Sequence, residues 1–175
     1  MTGDKTILVV DDDTNIADLY TMWLEPEYEV RTAYGGDEAL EQVDESVELV
    51  VLDRRMPEVT GDEVLETIRE KGFDCLVVLV TAVDPEFNIV ELPFDAYLTK
   101  PVLREDLTEM VEMLLERETD ETNREYHALQ AKKEVLEAER TPAELRHSEL
   151  YAELTERIEQ LVDDASKEIT ENSEQ

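Results

Sequence analysis

The chain reads as an α/β protein: a five-stranded parallel sheet covered by helices on both faces, followed by a C-terminal α-helical hairpin. Three observations lead there. Short aliphatic runs recur, and several end abruptly on a polar side chain, as Leu49-Val50-Val51-Leu52 ends on Asp53. Such runs suit strands buried on both faces, and the segments between them carry apolar residues at helical spacing, which implies βαβ crossovers and a parallel sheet. From Thr119 onward the pattern changes to long charged stretches with sparse apolar residues and no glycine.

Taken in order, Ile7-Leu8-Val9-Val10 predicts the first strand, ending in the acids Asp11, Asp12 and Asp13. Thr14 opens a helix whose apolar stripe is Ile16, Leu19, Tyr20, Trp23 and Leu24, stopped by Pro26. Tyr28 to Ala33 alternates as a second strand, and Gly35-Gly36 turns into a helix carrying Ala39, Leu40 and Val43. Val47 to Leu52 is the third strand. Pro57 prevents a helix from starting at once, Gly61 permits a tight turn, and Val64, Leu65 and Ile68 mark a third helix ended near Gly72. Leu76 to Val80 is the fourth strand, running into Thr81-Ala82. Asp84-Pro85 provides a cap and a first-turn proline for a fourth helix, which Pro93 limits to about two turns. Ala96-Tyr97-Leu98 is the fifth strand, and Leu103, Leu107, Met110, Val111, Leu114 and Leu115 define a fifth helix. The sheet domain therefore takes residues 1–118, and residues 119–175 form the hairpin. One arm of the hairpin carries Tyr126, Leu129 and Leu136. The other starts at the capping box Thr141-Pro142-Ala143-Glu144 and carries Tyr151, Leu154, Ile158, Leu161 and Ala165.

Charge narrows the class of function. The 47 acids against 16 bases leave a net charge of -31, yet 41% of the residues are hydrophobic, so a folded protein with an acidic surface is expected. Self-repulsion of this size is strong where the Debye length is about 10 Å, near 0.1 M salt, and fades where it is about 3 Å, near 1 M. A halophilic protein is the natural reading. Its melting temperature should be lower in about 0.1 M than in about 2 M KCl, and equal values would remove the inference. No stripe of Lys and Arg offers a grip on phosphates, so direct DNA binding is not expected. The single cysteine, Cys75, excludes an internal disulfide, fits a reducing compartment, and reads as core. No signal-peptide core and no apolar run of about 18 residues are present, which points to a cytoplasmic protein without membrane insertion. His127 and His147 are too isolated to suggest a metal, and Tyr126 and Tyr151 read as hairpin core.

The chemistry is concentrated at strand ends. Asp11 and Asp12 end the first strand, Asp53 the third, Thr81 the fourth and Lys100 the fifth, so one sheet edge collects three carboxylates, a hydroxyl and an ammonium. Clustered carboxylates repel unless a hard divalent cation such as Mg2+ sits among them. A metal so held can bridge to a phosphoryl oxygen while a carboxylate attacks phosphorus, with Lys100 supplying positive charge and Thr81 a hydrogen bond. The set predicts phosphoryl transfer onto an aspartate.

Val10-Asp11-Asp12, Leu52-Asp53 with Met56-Pro57 and Gly61, Thr81-Ala82, and Tyr97 three residues before Lys100-Pro101 resemble the receiver domain of two-component response regulators over residues 5–118. The resemblance implies a flavodoxin-like, doubly wound sheet of order 2-1-3-4-5, with Asp53 as phosphoacceptor. It implies Mg2+ bound by Asp12, Asp53 and the backbone carbonyl of Arg55, with Asp11 acting through water. It further implies that Thr81, Ala82, Lys100 and Pro101 surround the phosphoryl group, with a cis Lys100–Pro101 bond. Thr81 and Tyr97 become a switch pair in which the tyrosine turns inward. Arg54 and Arg55 read as solvated loop cations, Arg55 being placed to shield or steer the attacking water.

The tail resembles the HalX domain attached to receivers in halophilic archaea. The likeness rests on Arg124-Glu125-Tyr126, Leu129, Lys132-Lys133, Leu136-Glu137, Thr141-Pro142-Ala143-Glu144-Leu145 and Tyr151. The expected function is a response regulator that takes a phosphoryl group from a histidine kinase and signals through the tail to a downstream protein. It catalyses only its own phosphorylation and dephosphorylation, and a homodimer through the receiver or the tail is a further expected partner. The alternatives are a transcriptional regulator acting through the tail and an aspartyl-phosphate phosphatase. Such phosphatases pair the nucleophile with an aspartate two residues on, where this chain has Arg55.

Overall fold

The computed structural model describes residues 5–82, 87–116 and 121–173. The chain divides into two compact units, Met1–Val83 with Leu92–Glu118, and Asp84–Glu91 with Thr119–Gln175. Residues 87–91, expected with the sheet domain, thus cluster with the tail.

In the first unit, β1 (Thr6–Val10), β2 (Glu29–Ala33), β3 (Val47–Asp53), β4 (Leu76–Thr81) and β5 (Ala96–Thr99) form one sheet of order β2-β1-β3-β4-β5. Every pairing is parallel, with Val10 opposite both Ala33 and Leu52, Asp53 opposite Val80, and Thr81 opposite Thr99. The apolar strands β1 and β3 lie at the centre, where helices cover both faces, which is why nearly every residue in them is buried.

The helices of this unit are α1 (Thr14–Leu24), α2 (Gly36–Gln42), α3 (Gly61–Glu70) and α4 (Arg104–Glu116). Asp13 caps α1, its Oδ1 accepting from the N–H groups of Asn15 and Ile16 at 3.0 and 3.3 Å. Three consecutive acids therefore divide their roles, and the third belongs to the helix. The buried face of α1 is Ala17, Tyr20 and Leu24, whereas Leu19, expected on the stripe, is exposed. Leu103, expected to open the stripe of α4, precedes the helix and is 64% exposed, while Leu107, Val111 and Leu114 are buried. Gly72, at φ 84, ends α3 in the left-handed conformation. Gly61 is required by space: a Cβ there would lie 2.2 Å from the carbonyl oxygen of Asp53. Its N–H also donates to the Arg54 carbonyl at 2.8 Å, so the start of α3 is seated on the chain at Asp53.

The expected fourth helix is corrected. Its cap and proline, Asp84-Pro85, lie outside the described residues, and the chain beyond them forms the 3-10 helix Phe87–Glu91. Pro93, which lacks an N–H, leaves room for only this tight turn. Among the described residues of the first unit, four α-helices therefore accompany the five strands, and the 3-10 helix falls in the second unit.

The second unit contains α5 (Glu121–Glu139), α6 (Pro142–Arg146), α7 (Glu149–Ser173) and the 3-10 helix, which packs against both α5 and α7. Among the described residues the hairpin has three helices where two were expected. The capping box at Thr141 and Glu144 does form, but α6 lasts only five residues. Ser148 starts a new helix because its Oγ accepts from the Tyr151 N–H at 3.1 Å. Leu136, Leu154, Ile158 and Leu161 are buried, whereas Ala165 is exposed. The 25 residues of α7 outlast the 19 of α5, so the stripe runs past its partner. Tyr126 and Tyr151 are half-buried with polar tips engaged: Gln130 donates to the Tyr126 hydroxyl, and the Tyr151 hydroxyl donates to Glu137.

Candidate functional site

The parallel register sets the chain positions just beyond β1, β3, β4 and β5 along one edge of the sheet. There Asp11, Asp12 and Asp53 each offer a carboxylate oxygen, all within 4.8 Å of one another. Asp11 and Asp53 are buried and Asp12 is exposed, so the cluster has a solvent side. The Lys100 ammonium donates to Asp11 Oδ2 at 2.9 Å and stands 3.6 Å from Asp53 Oδ2. Asp11 Oδ1 accepts from the Asp13 N–H at 2.9 Å, which fixes its carboxylate.

The electrostatics derive from burial and crowding. Loss of water, then repulsion by Asp11, pushes the Asp53 carboxyl up to about 7, against the attraction of Lys100 and a backbone hydrogen bond from Arg55. Burial draws Lys100 down, but its hydrogen bond to Asp11 and the charges of Asp53 and Asp11 outweigh this, leaving it above its ordinary value. The site thus holds more negative charge than one ammonium neutralises.

Thr81 ends β4, as the strand pattern predicts, and is buried, and its carbonyl accepts from the Lys100 N–H at 2.9 Å. Ala82 and Pro101 are exposed, and the Lys100–Pro101 bond is cis. Tyr97 is buried, with its ring 5.8 Å from that of Phe94. The side chain of Arg55 is exposed.

Two family models match: the response regulator receiver domain over residues 7–112 and the HalX domain over residues 116–175. The chain belongs to the response-regulator receiver family. A Haloferax volcanii protein named as a candidate transcriptional regulator is 51% identical over 159 residues, covering 90% of this chain. The chain spans only 27% of that relative's length. Among solved structures, a CheY-like receiver domain from Methanospirillum hungatei matches at TM-score 0.60 and 34% identity, over 63% of this chain and 93% of that one. The Thermotoga maritima response regulator TrrA, in complex with Mg(2+)-BeF, matches at TM-score 0.55 and 38% identity, over 63% of this chain and 98% of that one.

The receiver also contains neighbours of the site that the sequence pattern does not announce. Arg54, expected as a solvated cation, is only 7% exposed. Its Nε reaches Asp62 Oδ1 at 3.0 Å and its Nη2 reaches Oδ2 at 3.3 Å, a bidentate pair to the first turn of α3. Arg54 also hydrogen-bonds Tyr97, so the residue after Asp53 is tied to the buried tyrosine. The spacing from Arg54 to Asp62 across a loop into a helix start was the available signal. Farther along the strands, Asp95 is buried and accepts from the Val77 N–H at 2.9 Å and from Arg69 at 3.2 Å. Arg69 in addition donates to the carbonyls of Phe73, Cys75 and Pro93.

Proposed function

We propose that the chain is a two-component response regulator that accepts a phosphoryl group on Asp53 from the phosphohistidine of a kinase and signals through its HalX tail. What carries the reading is the meeting of Asp11, Asp12 and Asp53 within 4.8 Å, with the Lys100 ammonium against two of them. All the side-chain donors are hard oxygens, and Asp53 is driven to about 7 in spite of Lys100, so the cluster fits a divalent cation such as Mg2+. Asp12, Asp53 and the Arg55 carbonyl would hold it, with Asp11 acting through water. When bound, the ion supplies positive charge that favours ionised Asp53 and spreads the charge of the phosphoryl oxygens.

In the proposed step a carboxylate oxygen of Asp53 attacks phosphorus. The new O–P bond forms as the P–N bond to the kinase histidine breaks, and the departing imidazole takes up a proton. Lys100 holds a compact positive charge beside the transferring group, and the Thr81 hydroxyl offers a hydrogen bond to one of its oxygens. Hydrolysis of the acyl phosphate by water returns Asp53 to its starting state.

The test is direct labelling with acetyl phosphate and Mg2+. The wild type should gain the mass of one phosphoryl group and Asp53→Asn none. Equal labelling of both proteins would overturn the assignment.

A further inference from the structure

We propose that Arg54 and Asp62 form a clasp that sets how tightly and how selectively the acid cluster takes a small divalent cation, by positioning the loop that carries the Arg55 carbonyl. Both are positioning residues that do not themselves ligate the ion. The inference rests on the cation reading above and deepens it by naming what holds one of the proposed ligands in place.

Arg54 directly follows Asp53 and is held twice by the first turn of α3. Its buried guanidinium makes the bidentate pair to Asp62, and its backbone carbonyl accepts from the Gly61 N–H at 2.8 Å. A Cβ on Gly61 would stand 2.7 Å from the Arg54 Cα, so only glycine allows this approach. The turn is itself fixed by a capping box, in which Thr60 Oγ1 accepts from the Glu63 N–H at 3.2 Å and Glu63 accepts from the Thr60 N–H at 3.1 Å. Residues 55–59 are therefore a closed loop pinned at both ends by one helix start.

That loop is held under strain. Glu58 has φ 67, a left-handed conformation uncommon for a residue with a side chain. The start of α2 also presses on the loop, since a Cβ on Gly36 would come within 2.6 Å of Val59. Such a conformation persists only where its surroundings over-determine it, and the clasp supplies two of the contacts that do so. The loop begins at Arg55, whose N–H donates to the Asp53 carboxylate, so the peptide that would offer its carbonyl already lies against the cluster. Rigidity there bears on the choice of ion. Mg2+ demands near-octahedral oxygens at about 2.0–2.1 Å, whereas Ca2+ accepts a looser shell at about 2.3–2.6 Å, so a freed loop costs Mg2+ more than Ca2+.

The experiment is calorimetric titration of the full chain with MgCl2 and with CaCl2 at one fixed KCl concentration, on wild type, Arg54→Met, Asp62→Asn and the double variant. Urea melts in EDTA establish that each is folded under those conditions, and Asp62, whose side chain is 31% exposed, keeps the test open should Arg54→Met not fold. Each single variant should weaken Mg2+ by about tenfold or more and Ca2+ by less, and the double variant should lose no more than the worse single. Charge acting through space alone would give opposite signs, tightening in Arg54→Met and weakening in Asp62→Asn, and that pattern overturns the clasp. So does Mg2+ affinity within about twofold of wild type, or an equal loss for both ions, either of which would make the pair merely structural. In all three cases wild-type Mg2+ binding leaves the cation reading standing. A wild type that takes up no Mg2+ overturns both.

Discussion

Asp53→Asn should make the metal-free chain more stable at pH 7, by on the order of 2 kcal/mol, even though it removes the proposed nucleophile. In the unfolded chain this carboxyl titrates near its ordinary value of 3.8, whereas burial and then Asp11 push it to about 7 in the folded one. Between those values the folded state holds a proton that the unfolded state has released, so stability falls as pH rises through the interval. Asparagine carries no charge at any pH and escapes the loss. Urea melts in EDTA, with KCl held constant, should therefore show the two proteins alike near pH 4 and separating toward pH 7. A variant no more stable than wild type at pH 7 would mean that the cluster is not strained by its own charge. Mg2+ should then raise the wild-type midpoint at pH 7 and leave that of Asp53→Asn nearly unmoved.

The second large effect is expected away from the site. Asp95→Ala should cost about 3 kcal/mol or more, because it strands a buried N–H at Val77 and takes the counter-charge from Arg69. Arg69 also gathers the carbonyls of Phe73, Cys75 and Pro93, so the loss would loosen the approach to both β4 and β5. Asp95→Asn keeps an acceptor for Val77 and should lose less. A denaturant midpoint for Asp95→Ala within about 1 kcal/mol of wild type would refute the clamp.

Much of the fold was legible because strand and helix periodicities are local. Leu49 to Leu52 needs both faces covered, and that requirement alone places it at the centre of a parallel sheet. The candidate site was legible for a related reason: residues that come directly after apolar strands are carried to one edge by topology, whatever lies between them. What escaped depended on distant partners. Arg54 could not be told from a solvated cation until Asp62 and Tyr97 came beside it, and buried Lys132 looked like its neighbour Lys133 until Val90 offered a carbonyl. The break between α6 and α7 was missed because Ser148 is a weaker signal than the box at Thr141, yet it starts the longer helix. Leu19 and Leu103 were misplaced because spacing alone does not say where an apolar face ends.

The contribution of residues 87–91 to the tail has a practical corollary for anyone dividing the gene. A cut after residue 118 respects the two family matches, but it would send Ile89 away with one fragment and leave the other with a notch where an isoleucine had been seated. Neither product should be as soluble or as rigid as the parent, and grafting this tail onto another receiver would require transplanting that short internal segment as well.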